Sequence, residues 1–141
     1  AYNLRPTEIT GFLGLEQMKY IRENIKKREN NYIILERVVE KNPELISFDT
    51  KHLKVVSSFA FPILCKNKKL TEKYLLRFFE SEIEVRPVIA GNIQKQPFYR
   101  KYVKKNYDLP GAEFIHNNGF YCGNYPELSN SEIHVILDCL I

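Results

Sequence analysis

Apolar residues recur at steps of three and four near the start of the chain and predict two helices. The first covers residues 7–29 and the second covers residues 31–41, where Pro43 blocks any continuation. Gly11 and Gly14 interrupt the first helix, each at a cost of about 1 kcal/mol relative to alanine. Close approach of a backbone or ligand would explain the two glycines, and so would the packing of a second helix against small residues.

The remaining pattern alternates between strands and helices. A first strand is predicted at residues 55–65, and Pro62, which lacks an N–H, should place it at a sheet edge or create a bulge. Two further strands are predicted at residues 83–89 and 120–125. The remaining predicted helices cover residues 71–80, 96–103 and 129 or 130 to the end, and residues 109–116 are predicted as a short helix or a turn. These elements predict an α+β fold with a small, largely antiparallel three-stranded sheet, preceded by a long helix.

Length and charge favour a single compact domain without a nucleic-acid partner. The chain has 141 residues and a net charge of +4. Its basic clusters are short, at residues 26–28, 66–69 and 101–105. Tyrosines interleave with the third cluster, a feature of nucleic-acid-binding proteins. Solvated surface is the simpler interpretation, because charge runs at helix ends are common.

Cysteine usage and hydropathy favour a cytoplasmic protein without a membrane span. The chain has three cysteines, Cys65, Cys122 and Cys139. Their number is odd and no two are spaced as a CxxC motif, so neither a disulfide framework nor a zinc site is expected. Unpaired thiols suit a reducing cytoplasm. No apolar run approaches 18 residues, and no signal-peptide pattern is visible. The start at Ala1 rather than Met leads us to expect that a segment precedes it.

The sequence contains no complete catalytic set. His52, His116 and His134 are widely separated, and the chain has no HExxH motif, GxSxG motif or glycine-rich phosphate loop. The carboxylates are mostly interspersed with lysines on predicted helix faces. We therefore expect no metal site and no self-contained active site.

Polar residues before the first helix form the first of three unusual segments. Asn3 and Arg5 immediately precede a predicted helix N-terminus, where free N–H groups and the helix dipole favour an anion. An ordinary Asn-capped helix entry is the alternative interpretation.

Two later segments also place polar groups at turns. Arg86 lies within an apolar stretch and needs a partner, which could be a substrate phosphate, a carboxylate or the nearby Glu84. Gly91 permits a tight bend that would point Asn92 outward. The third segment, residues 116–120, includes His116 and Asn118, although turn chemistry alone explains its Asn-Gly pair.

Together these segments resemble the DegT/DnrJ/StrS family of sugar aminotransferases. The resemblance is closest to the branch of nucleotide-sugar 3-dehydratase-like enzymes that make deoxysugars for lipopolysaccharide. It is carried by Tyr2-Asn3-Leu4-Arg5-Pro6-Thr7-Glu8-Ile9 with Gly14-Leu15-Glu16-Gln17, by Arg86-Pro87 with Ala90-Gly91-Asn92 and Gln96-Pro97, and by Leu109-Pro110-Gly111-Ala112-Glu113 with Asn118-Gly119-Phe120 and Gly123-Asn124-Tyr125-Pro126. Residues 30–80 match the family only in pattern.

The resemblance implies the C-terminal domain of a fold type I enzyme dependent on pyridoxal 5'-phosphate, usually a homodimer. Its substrate would be a nucleotide-linked keto-deoxysugar, changed either by amino transfer from glutamate or by 3-dehydration. The Asp that pairs with the pyridine nitrogen, and the Schiff-base Lys or its His replacement in the dehydratase branch, would lie upstream of Ala1. No lysine of this chain is then catalytic, and the chain alone is expected to be inactive.

The resemblance also implies roles for individual residues. Asn3 would contact the cofactor phosphate of the neighbouring subunit, and Arg5 would contact a phosphate or the sugar nucleotide. The residues expected to border the sugar site are Arg86, Asn92, His116 and Asn118. Residues 1–30 would link to a missing large domain, and residues 31–141 would form a small C-terminal domain. A stand-alone module that binds nucleotide sugars or acidic surfaces is the alternative.

Overall fold

The computed structural model describes residues 6–89 and 91–141 as a three-stranded sheet with helices. Its elements follow the predicted order of helices and strands. They are α1 (Glu8–Met18), α2 (Ile21–Val39), β1 (Ala60–Leu64), α3 (Lys68–Glu80), β2 (Val85–Pro87), a 3₁₀ turn (Ile93–Lys95), α4 (Pro97–Tyr102), α5 (Pro110–Asn118), β3 (Gly119–Gly123) and α6 (Asn130–Leu140). The predicted α+β class is confirmed.

The sheet has β3 at its centre, paired antiparallel with β1 on one side and β2 on the other. Pro62 lies on β1 opposite Tyr121, and Pro87 lies on β2 opposite Phe120. Each proline thus lies on a strand with a single neighbour in this sheet, where a missing N–H need not disrupt a ladder. The sequence predicted either a sheet edge or a bulge at Pro62, and the structure shows the edge.

The predicted boundary between the first two helices is wrong. The helix does not end near residue 30 but breaks at Lys19 and Tyr20, and α2 then continues to Val39. Burial explains the continuation, because Tyr32 and Leu35 are only 4% and 0% exposed in the core. At the break, the Tyr20 N–H bonds to the Gln17 carbonyl at 3.1 Å, three residues back, which tightens the final turn.

The strands are also shorter than predicted. The first begins at Ala60 rather than at residue 55, because the Ala60 N–H donates to the Ser58 hydroxyl at 3.3 Å in a local turn. The second ends at Pro87, and the Gly91 N–H then bonds to the Val88 carbonyl at 2.7 Å to form another turn. A local side-chain or turn bond is therefore found at the start of the first strand and after the end of the second.

The core combines side chains from the sheet with those of α2, α3 and α6. Aromatic rings link these layers edge to face: Tyr32 contacts Phe61 with ring centroids 5.2 Å apart, and Phe78 contacts Phe120 at 5.5 Å. Such pairs add attraction beyond the burial of their apolar area. The sheet and α2 are further joined by the fully buried Asn124, whose amide donates to two backbone carbonyls.

Helix α1 contributes no buried side chain to this core. A Cβ at Gly11 or Gly14 would meet no atom within 4 Å. The close approach expected at these glycines is therefore not made by the described part of the chain. The apolar side chains of α1 are more than half exposed, namely those of Ile9, Phe12, Leu13, Leu15 and Met18.

Candidate functional site

The loop after β2 folds onto α5 and joins two of the predicted site residues. The backbone N–H of Asn92 donates to Nδ1 of His116 at 3.3 Å, across 24 positions of sequence. Because Nδ1 accepts this bond, the neutral imidazole carries its proton on Nε2. Nε2–H is thereby left as the ring's remaining donor.

Glycine is required next to this bond. Gly91 has φ of +57°, and a Cβ on it would stand 2.2 Å from His116 Nδ1. The expected tight bend is present, but the expectation that it turns Asn92 outward is wrong. Asn92 is buried, and its side-chain amide donates to Glu113 at 3.1 Å, because α5 lies directly against the loop.

Glu113 connects three polar side chains at this site. Its carboxylate forms an ion pair with Lys95 and accepts hydrogen bonds from Asn117 at 2.9 Å and Asn92 at 3.1 Å. These hydrogen bonds lower the pKa of Glu113 to about 2. The bond from Lys95 has the largest effect, and the bonds from Asn117 and Asn92 have smaller ones. From the sequence, Glu113 was named only as the last residue of the Leu109–Glu113 motif, and no site role was predicted for it. Its position three residues before His116, on the same helical face, was the available signal.

This lowered pKa predicts a specific pH dependence. Since the ordinary pKa is 4.5 and the folded value is about 2, the stability that ionised Glu113 contributes is present above pH 4.5 and is lost as the pH falls towards 2. Glu113→Gln should therefore destabilise the protein at pH 7, and its difference from wild type should shrink towards pH 2.5. Urea unfolding across this range measures the effect.

The control is Glu72→Gln, which removes one charge from an exposed position on α3. This variant should change stability at pH 7 by about 0.5 kcal/mol or less. A Glu113→Gln difference that does not shrink as the pH falls would contradict the role given to the carboxylate.

Asn118 ends α5, and its polar groups are engaged within the protein. Its buried side-chain amide donates to the Phe114 carbonyl at 3.0 Å. Its own carbonyl accepts from the Cys65 N–H at 3.0 Å and from the Thr71 hydroxyl at 3.4 Å. These bonds join α5 to β1 and α3, whereas contact with a substrate stays a prediction.

Arg86 is exposed on β2, opposite Tyr121 of the central strand. Its Nε and Nη2 atoms both donate to one carboxylate oxygen of Glu84, at 2.9 and 2.7 Å. Glu84 is thus the partner that this arginine has in the chain itself. Exposed pairs of this kind are weak, so an anionic ligand could replace Glu84 at small cost.

Arg86 also lines a cavity of about 580 Å³ between the sheet, α2 and α6. Its wall includes Phe59, Tyr121 and Tyr125, together with the side chains of Arg28 and Glu84. The Nε atom of Arg28 is buried and makes no hydrogen bond to any described residue. Aromatic walls with a few convergent polar groups are typical of small-molecule sites.

The structure brings together only part of the predicted site. Asn92 and His116 are in direct contact, and Asn118 ends the same helix, whereas Arg86 lines a cavity whose described wall does not include those three residues. Asn3 and Arg5 lie outside the described residues. Convergence of all three segments on one cleft stays a prediction.

Other chemistry has little support in the described part of the chain. Every lysine there is exposed, and no group of three or more His, Cys, Asp or Glu side chains could hold a metal ion. All three cysteines are free and buried. Among the residues that the structure describes, no helix combines the length and apolar character needed to cross a bilayer.

The fold is that of one part of the pyridoxal-phosphate-dependent sugar-modifying enzymes. An Escherichia coli GDP-4-keto-6-deoxy-D-mannose-3-dehydratase, solved with bound hydrated PLP, matches with a TM-score of 0.85 and 26% identity, over 100% of this chain and 37% of that one. The chain belongs to the DegT/DnrJ/EryC1/StrS aminotransferase family, which matches residues 1–141. The resemblance drawn from the sequence is confirmed.

Two curated relatives define the similarity further. A GDP-4-keto-6-deoxy-D-mannose 3-dehydratase of Yersinia pseudotuberculosis is 30% identical over 131 residues, which cover 88% of this chain and 32% of the relative. A lipopolysaccharide biosynthesis protein of Salmonella typhimurium is 28% identical over 141 residues, which cover 96% of this chain and 32% of the relative. The chain therefore spans about a third of the length of the curated relatives that it matches.

Proposed function

We propose that this chain is the C-terminal part of a pyridoxal-phosphate-dependent enzyme that modifies a nucleotide-linked keto-deoxysugar for lipopolysaccharide or related deoxysugars. The observation that carries the proposal is the family match over residues 1–141, together with relatives three times as long that act on GDP-linked keto sugars. The reaction is either amino transfer to the sugar or removal of its 3-hydroxyl.

In this proposal the chemistry is divided between two parts of the protein. Residues 1–30 link to a larger domain, whose surface covers the exposed apolar side chains of α1, and residues 31–141 form the small domain. The cofactor supplies an electron sink for a carbanion, and its aldehyde is held by the larger domain. The exposure of every described lysine supports this division. Asn3 and Arg5 would contact the cofactor phosphate.

The small domain would bind and orient the sugar nucleotide. Arg86 would exchange Glu84 for a phosphate, which a guanidinium binds through paired N–H donors. Nε2–H of His116 would donate to the sugar, with Asn92 and Asn118 bordering it. The bond between Asn92 and His116 supports this role, because it holds the imidazole in one tautomer.

We further propose a cytoplasmic homodimer. Three free, buried cysteines suit a reducing compartment. The homodimer follows from the resemblance, in which Asn3 reaches the cofactor of the neighbouring subunit.

The decisive experiment compares this chain with the longer protein that contains it. We expect the longer protein, given pyridoxal phosphate, glutamate and a GDP-linked 4-keto-6-deoxysugar, to yield a product whose mass reveals either an added amine or a lost hydroxyl. This chain alone should show neither bound-cofactor absorbance nor turnover. Cofactor absorbance or turnover by the chain alone would refute the division proposed here, and an inactive longer protein would refute the function.

Arg86→Met tests the substrate role within the longer protein. Loss of a charged hydrogen bond worth about 1.5–3 kcal/mol should raise KM for the sugar nucleotide by about tenfold or more. Arg37→Met, at an exposed position on α2, should leave KM unchanged. If the two variants had the same KM for the sugar nucleotide, Arg86 would not be a substrate-binding residue.

A stand-alone binding module is the second candidate, since the cavity lined by Arg86 is formed by residues of this chain alone. It would bind a nucleotide sugar without pyridoxal phosphate, and calorimetry on this chain would detect the heat. Binding by the chain combined with inactivity of the longer protein would favour this candidate over the enzyme.

A further inference from the structure

Exposed aromatic and basic side chains alternate along residues 97–107, which we call the aromatic–lysine segment. Phe98, Tyr102 and Tyr107 are 53%, 75% and 53% exposed. The segment contains four cations and no carboxylate. Its cations are Arg100, Lys101, Lys104 and Lys105, all of them exposed. None forms an ion pair with a carboxylate of residues 6–89 or 91–141, so their charge is available to an external anion.

Two of the tyrosines already act as cation-binding surfaces. The ammonium of Lys101 lies 5.3 Å from the ring centroid of Tyr102, and that of Lys105 lies 4.9 Å from that of Tyr107. Each ring is still more than half exposed, which leaves room for a second planar group to stack. Stacked rings beside ammonium groups are the combination that binds a base together with its phosphate.

The segment is fastened to the loop that carries Asn92. The side chain of Gln94 bonds both backbone groups of Tyr107, donating to its carbonyl at 2.9 Å and accepting from its N–H at 2.6 Å. The hydroxyl of Tyr99 donates to the Lys105 carbonyl at 3.2 Å, so the segment folds back on itself. These bonds hold the segment beside the loop that carries Asn92.

We infer that the aromatic–lysine segment holds the nucleoside end of the sugar nucleotide. The base stacks on Tyr102 or Tyr107, and the phosphate beside the nucleoside lies against Lys104 and Lys105. This inference rests on the proposed function and extends it to the part of the substrate that does not react. A single nucleotide fits better than nucleic acid, because the other basic clusters lie on different elements, α2 and the start of α3.

Calorimetric titration of this chain with GDP tests the inference. Tyr102→Ala/Tyr107→Ala and Lys104→Ala/Lys105→Ala should each weaken GDP binding at least tenfold. Inorganic pyrophosphate has no base, so its weaker binding should be reduced only by the lysine variant. Lys68→Ala/Lys69→Ala removes the same charge from exposed positions on α3 and should leave both affinities unchanged. The unfolding midpoint of every variant should stay close to that of wild type, because all of the substituted side chains are exposed.

Three results would overturn the inference. One is the absence of GDP binding to the chain, and another is an affinity for GDP that the tyrosine variant does not change. The third is tighter binding of a single-stranded oligonucleotide than of GDP, with an affinity that falls steeply with salt, which would mark a nucleic-acid surface instead.

The longer protein separates this inference from the proposed function. If it turns over a nucleotide sugar with the same KM in the Tyr102→Ala/Tyr107→Ala variant as in wild type, the inference fails and the function stands. If it has no turnover although the chain binds GDP through the segment, the proposed function fails.

Discussion

Phe78→Ala should lower the free energy of unfolding by about 3–5 kcal/mol, because it empties a fully buried site in the core. Phe78 is 0% exposed on α3, and its ring packs edge to face against Phe120 on the central strand. Domains of this size have only about 5–15 kcal/mol of net stability, so one substitution would remove a large share. Urea unfolding, followed by circular dichroism, measures the loss.

The neighbouring residue supplies a matched control. Phe79 follows Phe78 in α3 but is 78% exposed. Phe79→Ala makes the same chemical change on the solvent side and should alter stability by about 0.5 kcal/mol or less. Similar losses in the two variants would mean that α3 does not present Phe78 to the sheet as described.

Gly91→Ala should destabilise the loop after β2 by an amount on the order of 3 kcal/mol, since two costs combine. The backbone there has φ of +57°, which a side chain disfavours, and the new Cβ would lie 2.2 Å from Nδ1 of His116. The loop must shift, and the bond from the Asn92 N–H to His116 is lost. Thermal unfolding and hydrogen exchange at the Asn92 amide together measure this result.

Gly111→Ala is the corresponding control. A Cβ at Gly111, in the first turn of α5, would meet no atom within 4 Å. The substitution should be neutral or stabilising by up to about 1 kcal/mol, because alanine favours a helix. If Gly91→Ala behaved like Gly111→Ala, with the Asn92 amide still protected, the close contact between the loop and α5 would be disproved.

Local rules account for much of what the sequence predicted correctly. Ser129 and Glu132 form a capping box at the start of α6, near the predicted boundary. The edge position of β1 followed from the N–H that Pro62 lacks, a property of one residue. Such features need no knowledge of distant neighbours, and so the order of helices and strands was predictable.

Errors arose where distant contacts outweighed local pattern. The first helix was predicted to end at residue 29, but α2 continues past it, and Asn31 is buried there and donates to the Tyr125 carbonyl, 94 positions away. Likewise, the bend at Gly91 suggested that Asn92 points outward, whereas the Asn92 side-chain amide donates a hydrogen bond to Glu113 of α5. Neither partner can be identified from hydrophobic periodicity, because that pattern reports only which face of an element is buried.

By itself the sequence determined the family, through the order of its polar motifs, and the α+β class, through turn residues and apolar spacing. Only the tertiary structure decided which polar groups meet. It paired Asn92 with His116 and Glu113, and it paired Arg86 with Glu84 at the edge of a cavity. The physical reason is that hydrogen bonds and ion pairs depend on distances of about 3 Å, which are set once the elements have packed.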